Sequence, residues 1–264
     1  MTTLPGTLRA ALEAFVQRPR ILIAADFDGT LAPFATDPMT TRALPGALTS
    51  LYAAASLPGV SVALVSGRDL QTLRSLTAIP QTSPIVLVGS HGGESSLADT
   101  DGPAPFDEDA SALLAAAFAD LELVAAAHPG ARIELKPGAV ALHTRGMEPS
   151  AADAALAAAT ELSTRHPGVQ VIPGKQVVEL TVVGTDKGYA MRALAAVRGV
   201  DATTYFGDDV TDERAFAALD PGSGDVTVKV GEGNTLAAYR LEGVEDVASA
   251  LDFMVGARRS ATSD

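Results

Sequence analysis

The 264-residue chain has no cysteine, so neither a disulfide framework nor a thiolate metal site can contribute, and it is indifferent to redox compartment. Cations are scarce. Lys and Arg number 19 against 32 Asp and Glu, and the net charge of −13 disfavours nucleic acid or an anionic membrane as partner. No apolar run approaches the roughly 20 residues needed to span a bilayer. Thr, Pro, Glu and Arg interrupt the stretch from Met1 to Arg20, which therefore lacks a secretory h-region. A soluble, cytoplasmic, monomeric protein acting on a small molecule is expected. What the chain does have is apolar content, 47% of its residues, enough to bury one full core or two modest ones. Any anionic substrate would need a locally positive pocket on so negative a chain.

The apolar run Ile21 to Ala25 followed by Asp26-Phe27-Asp28-Gly29-Thr30-Leu31 predicts a buried parallel strand with acids at its C-terminal end. That end is where open α/β sheets place ligands. Gly29 permits the chain to leave strand geometry at Asp28, so that both carboxylates can serve one ligand. An acidic turn with a helix-capping Asp would show the same pattern. A calcium loop would not, because its sixth position is Leu31 rather than Gly and its twelfth is Asp37 rather than Glu.

Further apolar runs end in polar punctuation. Val60 to Val65 leads into Ser66-Gly67-Arg68-Asp69, where a hydroxyl and free amides at a helix N-terminus make a phosphate site, or equally a capping Ser. Ile85 to Val88 leads into Gly89-Ser90-His91-Gly92-Gly93-Glu94, whose glycines allow close backbone approach; no Gly-x-Ser-x-Gly elbow accompanies it, which excludes an esterase of that type. Lys187, in Thr185-Asp186-Lys187-Gly188, opens a helix where the macrodipole disfavours a cation. Thr203 to Phe206 ends in Gly207-Asp208-Asp209-Val210-Thr211-Asp212-Glu213, a costly concentration of acids unless a cation neutralises it; a solvated capping loop is the alternative. With oxygen ligands alone, Mg2+ is favoured over zinc. Val226 to Val230 gives a fifth strand, and Gly231-Glu232-Gly233 is no dinucleotide fingerprint because Leu236 stands at the third glycine position. The tail from Arg258 to Asp264 reads as disordered.

Between these segments the pattern changes. A helix over Asp107 to Ala127, strands at Arg132 to Lys136 and Ala139 to Thr144, a helix over Pro149 to Arg165, and strands at Val169 to Ile172 and Val177 to Val182 around Pro173-Gly174 predict a separate α+β unit. The division is a core from 1–101 and 185–264 with an α+β cap from 102–184, hinged near Asp101 and Gly184. Strand alternation puts His143 and Arg145 on one face.

The Asp-x-Asp-Gly-Thr-Leu strand end, with Ser66, Lys187 and Asp208 at successive strand ends, resembles the motif set of the haloacid dehalogenase-like phosphotransferases. That resemblance implies an α/β fold: a Rossmann-like parallel-sheet core carrying the inserted cap. Adding the Gly89–Glu94 and Gly207–Glu213 segments, Lys136 with His143 and Arg145, Lys175 with Glu179, and Val228 to Leu241, the chain is similar to the trehalose-6-phosphate phosphatases over about Ile21 to Leu251. The family pattern implies that Asp26 is a nucleophile forming an aspartyl-phosphate and that Asp28 is the general acid and base. It implies further that Ser66, Thr30, Gly67, Arg68 and His91 bind phosphate while Lys187 neutralises charge. Mg2+ would be held by Asp26, the Asp28 carbonyl and Asp208, supported by Asp209 and Asp212. Lys136, His143, Arg145, Lys175 and Glu179 would hold sugar hydroxyls, side chains that can donate or accept as a disaccharide requires. Two departures stand out: His143-Thr144-Arg145 where the family usually has His-Tyr-Arg, and no Arg-Pro after Glu179. Other sugar phosphates (sucrose or glucosylglycerol phosphate) and a catalytically silent sensor remain alternatives; the intact acids and Lys187 favour an enzyme.

Overall fold

The computed structural model describes residues 4–97, 108–136, 139–174, 176–182 and 186–261. In chain order come α1 (Gly6–Phe15), β1 (Ile21–Ala25), α2 (Pro45–Ala55), β2 (Val60–Val65), α3 (Leu70–Thr77), β3 (Val86–Gly89) and β4 (Glu94–Ser95). Then follow α4 (Glu108–Ala127), β5 (Arg132–Lys136), β6 (Ala139–His143), α5 (Pro149–Arg165), β7 (Gln170–Gly174) and β8 (Val177–Thr181). The chain closes with α6 (Lys187–Arg198), β9 (Ala202–Gly207), α7 (Asp212–Ala218), β10 (Val226–Val230), β11 (Tyr239–Leu241) and α8 (Val244–Ala261). It forms two compact units, Met1–Pro103 with Thr185–Asp264, and Ala104–Gly184.

In the first unit a sheet of order β11-β10-β9-β1-β2-β3-β4 is parallel except for β4. The central strand β1 pairs Ile21 with Val60 on one side and with Ala202 on the other. Its residues alternate between two apolar layers. Ile21, Ile23 and Ala25 pack with Phe15, Leu51 and Leu251, whereas Leu22 and Ala24 pack with Met191, Tyr205 and Phe216. Burying each large aliphatic side chain contributes about 1.5–3 kcal/mol, so a slip of register would exchange the two layers at heavy cost. Asp26 is thereby fixed at the strand tip, its amide bonded to Phe206 O at 2.9 Å. The Phe27 carbonyl then accepts from Leu31 N (3.0 Å) and Ala32 N (2.9 Å), closing a turn in which Gly29 takes φ +74°. A Cβ at Gly29 would collide with the Asp208 carboxylate, so glycine serves both the turn and the approach of the acid loop.

β4 and β11 extend the sheet beyond the strands legible in the sequence, being too short to show a periodicity. The expectation of a disordered tail from Arg258 is corrected as far as Ala261, where α8 ends. Arg258 is buried and donates to the carbonyls of Val16, Arg18, Pro19 and Pro58, so its charge is satisfied by main chain rather than by solvent. Residues 262–264 lie outside the described residues.

In the second unit the sheet has the order β5-β6-β8-β7 and is antiparallel throughout. Leu121, Ala159 and Leu162 of α4 and α5 pack on Val140, Leu142, Val178 and Leu180 of one sheet face. His143 is paired opposite Arg132, and Glu179 lies between Ala141 and Ile172. β6 ends at His143 and Arg145 falls in the following turn, so alternation does not carry as far as Arg145. Pro173 and Gly174 lie within β7 rather than in a turn; β7 is an edge strand, where a missing N–H is tolerated. Lys175 and the hinge positions Asp101 and Gly184 lie outside the described residues, as does the side chain of Lys136. Among the described residues no helix is long and apolar enough to cross a membrane.

Candidate active site

Three buried groups meet at the C-terminal ends of β1 and β9. Asp26 is 4% exposed and Lys187, the first residue of α6, 2%. The Lys187 ammonium lies 3.0 Å from Asp26 Oδ1 and donates to Asp212 Oδ1 at 2.7 Å. Asp212 is engaged on both oxygens: Oδ1 also accepts from the Tyr205 hydroxyl (2.7 Å) and Oδ2 from Asp209 N (2.9 Å). Asp186, not Lys187, caps α6, accepting from Tyr189 N at 2.7 Å. The cation that the macrodipole disfavours is therefore held by carboxylates. Burial alone would lower the pKa of Lys187, but Asp26 and Asp212 outweigh it and raise it. For Asp26 burial wins, pushing its carboxyl well above the usual range against the pull of Lys187.

Asp208 continues the acid group. Its Oδ1 accepts from Thr30 Oγ1 at 3.3 Å, and its main-chain carbonyl accepts from the ammonium of Lys229, a buried residue of β10. Burial, then repulsion from Asp212 and Asp209, pushes the Asp208 carboxyl up to about 6. Asp26, Asp208 and Asp212 each offer an oxygen within 4.8 Å of the others. Carboxylates crowded like this, with no sulfur or imidazole in the set, fit a hard divalent cation whose charge would offset their repulsion. Asp209 is differently employed. Its Oδ1 accepts from Thr211 N (2.8 Å), Thr211 Oγ1 (2.7 Å) and Asp212 N (3.2 Å), shaping the turn into α7.

The tip of β2 supplies the other side. Ser66 is buried and accepts from Arg68 N at 3.2 Å; it is not the helix cap, since α3 starts at Leu70 and Asp69 accepts from Thr72 N at 2.7 Å. Arg68 grips Asp28 with both arms, Nε to Oδ2 at 2.6 Å and Nη2 to Oδ1 at 2.7 Å. Ser90 and His91 both take left-handed φ (+50° and +55°), a cost that must be repaid by surrounding bonds. Those bonds run to the β2 tip, from Ser90 N to Arg68 O (2.8 Å) and from His91 N to Ser66 O (3.0 Å). The His91 ring lies where a Cβ on Gly67 would stand. Glu94 ties the segment down, accepting from Ser90 Oγ (2.6 Å) and Leu70 N (2.9 Å).

A cavity of about 320 Å³ opens among these groups, lined by Asp26, Asp28 and Asp208, by the cations of Arg68 and Lys187, and by Ser66, Gly67, His91, Asp209 and the ring of Phe34. It joins buried carboxylates to hydrogen-bond donors and positive charge. Thr30 stands against Asp208, and Asp212 against Lys187. His143 and Glu179 belong to the second unit, where His143 Nε2 and Glu134 Oε2 are 2.7 Å apart. Sequence reasoning missed Tyr205, Lys229 and Phe34. Lys229 carried a signal, a lysine inside the apolar run Val226 to Val230, while nothing local distinguishes Tyr205 or Phe34 from packing residues.

A family model for trehalose-phosphatase matches residues 24–245. Trehalose-6-phosphate phosphatase of Escherichia coli (strain K12) is 35% identical over 234 residues, 88% of this chain and 85% of that protein. Trehalose-phosphate phosphatase of Mycobacterium marinum is 33% identical over 266 residues, covering 96% of this chain and 65% of its own length. Among solved structures, trehalose-6-phosphate phosphatase of Aspergillus fumigatus has a TM-score of 0.69 at 24% identity, over 94% of this chain and 97% of that one, a likeness of fold. The matched span runs through every strand end that lines the cavity, and on that ground the chain belongs to the trehalose-phosphatase family.

Proposed function

We propose that this chain hydrolyses trehalose 6-phosphate to trehalose and phosphate, the last step of trehalose synthesis, with Mg2+ as cofactor. One observation carries the reading: Asp26, at the tip of a strand paired on both sides, shares its cavity with Lys187, Ser66 and the Asp28 carboxylate.

In the first half-reaction an Asp26 oxygen attacks phosphorus. The bond from phosphorus to the sugar oxygen breaks, and that oxygen takes the Asp28 proton. In the second, water attacks the aspartyl-phosphate, gives a proton to Asp28, and the Asp26–phosphorus bond breaks to restore the carboxylate. Lys187, Ser66 and Gly67 would hold the phosphoryl oxygens, matching a transfer dominated by positioning and electrostatics. Mg2+, held by Asp26, the Asp28 carbonyl and Asp208 with Asp209 and Asp212 behind them, would offset the repulsion between dianionic phosphate and carboxylate. For the sugar we assign Lys136, His143, Arg145, Lys175 and Glu179. The chain would act as a cytoplasmic monomer, its charge turning it away from nucleic acid and anionic membranes.

Phosphate release from trehalose 6-phosphate, sucrose phosphate and glucosylglycerol phosphate tests the assignment, with Asp26→Asn as control. Preference for the first ester and a silent, folded Asp26→Asn are expected. Preference for another ester removes the substrate, and turnover by Asp26→Asn removes the nucleophile.

A further inference from the structure

Arg68 lines the cavity beside Ser66 and Lys187, where a phosphoryl group would be met, yet its guanidinium is committed to Asp28. The two arms, at 2.6 and 2.7 Å, occupy both oxygens of that carboxylate in the bidentate geometry that makes such pairs strong. Both side chains are largely withdrawn from solvent, 16% exposed for Arg68 and 25% for Asp28. The Arg68 main chain is anchored at each end, its amide to Ser66 Oγ and its carbonyl to Ser90 N, so the fork swings from a fixed root. An Asp28 held this way has no oxygen turned to a leaving group. A phosphate dianion entering beside Ser66 brings acceptor oxygens of the kind the fork suits equally well.

We infer that Arg68 is a positioning residue that exchanges partners: it holds the ionised Asp28 at the cavity wall and, when a phosphoryl group arrives, turns to the phosphate oxygens and releases Asp28, which takes a proton from water and passes it to the leaving oxygen. This rests on Asp28 being the proton donor of the proposed reaction. The exchange matters when the leaving group is a sugar alkoxide, which cannot depart without a proton. It matters less for nitrophenolate, which can.

The test uses the full chain and its Arg68→Lys, Arg68→Met, Asp28→Asn and Arg68→Met/Asp28→Asn variants. Kcat and KM are measured separately for the best sugar phosphate and for p-nitrophenyl phosphate, with thermal melts to confirm folding. Arg68→Met should lower kcat on the sugar phosphate by about 10²-fold more than on the aryl ester, the scale of a general acid. Added to Asp28→Asn it should lower sugar-phosphate kcat little further, as residues acting in one step are non-additive. Arg68→Lys keeps the charge without the fork, and should recover KM but not sugar-phosphate kcat. Equal losses on both esters, losses that multiply with Asp28→Asn, or full recovery of kcat by lysine would each reduce Arg68 to a phosphate anchor and overturn the exchange. If the wild type spares trehalose 6-phosphate but cleaves another sugar phosphate, the substrate assignment fails alone, and the comparison runs on that other ester.

Discussion

The Lys187 ammonium lies 3.0 Å from Asp26 Oδ1 with both side chains sealed from solvent. Removing the lysine takes from Asp26 and Asp212 the cation that both contact in a buried site, a loss on the order of 3–5 kcal/mol when a buried pair is broken. Lys187→Met should therefore lower both urea stability and turnover, by roughly 10²-fold or more for lost stabilisation of the transferring group. Lys187→Arg should recover stability better than turnover, because its planar fork cannot reproduce a point charge shared by Asp26 and Asp212. A Lys187→Met protein as stable and as active as the parent would contradict this.

Burial, and then repulsion from Asp212 and Asp209, pushes the Asp208 carboxyl up to about 6, so its charged form carries a cost in the folded site. A divalent cation should remove it. Saturating Mg2+ at about 100 times its Kd would add roughly 2.7 kcal/mol of stability by mass action, several degrees in Tm. Asp208→Asn should behave in the opposite way. It should match or exceed the parent melting temperature in a chelator, because one repelling charge is gone, and lose most of the Mg2+-dependent rise. Calorimetry of both proteins with Mg2+ and with EDTA decides this, and chelation should also abolish phosphate release.

Asp69 caps α3, and although burial would raise its pKa, hydrogen bonds from Thr72 hold it below the usual carboxylate range. A depressed folded-state pKa stabilises above the unfolded value of about 3.9 and ceases to do so as pH falls through the folded one. Asp69→Ala should thus cost about 1 kcal/mol near neutrality, as helix caps do. The gap should close in acid. Denaturation curves of the pair across that range test it; a gap that widens as pH falls would reverse the assigned sign.

The core was legible because apolar runs such as Ile21 to Ala25 are buried on both faces, and because functional groups at strand tips recur as Asp-x-Asp, Ser-Gly-Arg and Gly-Asp-Asp. Pairings between tips were not. Nothing in a linear pattern couples Arg68 to Asp28 or Thr30 to Asp208, since those contacts arise only once β1, β2 and β9 lie side by side. The acid loop shows a related limit. Composition reveals surplus negative charge there and the family pattern sets Asp208 apart from Asp212, but only the fold shows that Asp208 lines the cavity while Asp212 accepts from Lys187 and Tyr205.

Glu179 lies on the central strand β8 of the second unit, between Ala141 and Ile172 on its neighbours, and is assigned to the sugar. A carboxylate that accepts from sugar hydroxyls contributes nothing to an ester that has none. Glu179→Ala should raise KM for trehalose 6-phosphate by roughly tenfold, one charge-assisted hydrogen bond, and lose much less on p-nitrophenyl phosphate. Matching losses on both esters would make Glu179 a packing residue of its sheet.

Arg258 reaches from the last turns of α8 to the carbonyls of Val16, Arg18, Pro19 and Pro58, tying the C-terminal helix to the two loops that flank the start of the central strand. Those carbonyls have no helix or ladder partner to return to, so removing the guanidinium leaves several acceptors unsatisfied at about 1–3 kcal/mol each, less whatever water recovers. Arg258→Leu should lower the urea midpoint by an amount equivalent to about 2–4 kcal/mol with little change in m, and Arg258→Lys should recover only part of that because one ammonium cannot span all the carbonyls. Truncation after Ala257 should mimic the leucine variant. Were it as stable as the full chain, Arg258 would be a surface residue in effect, and the tail could be trimmed freely.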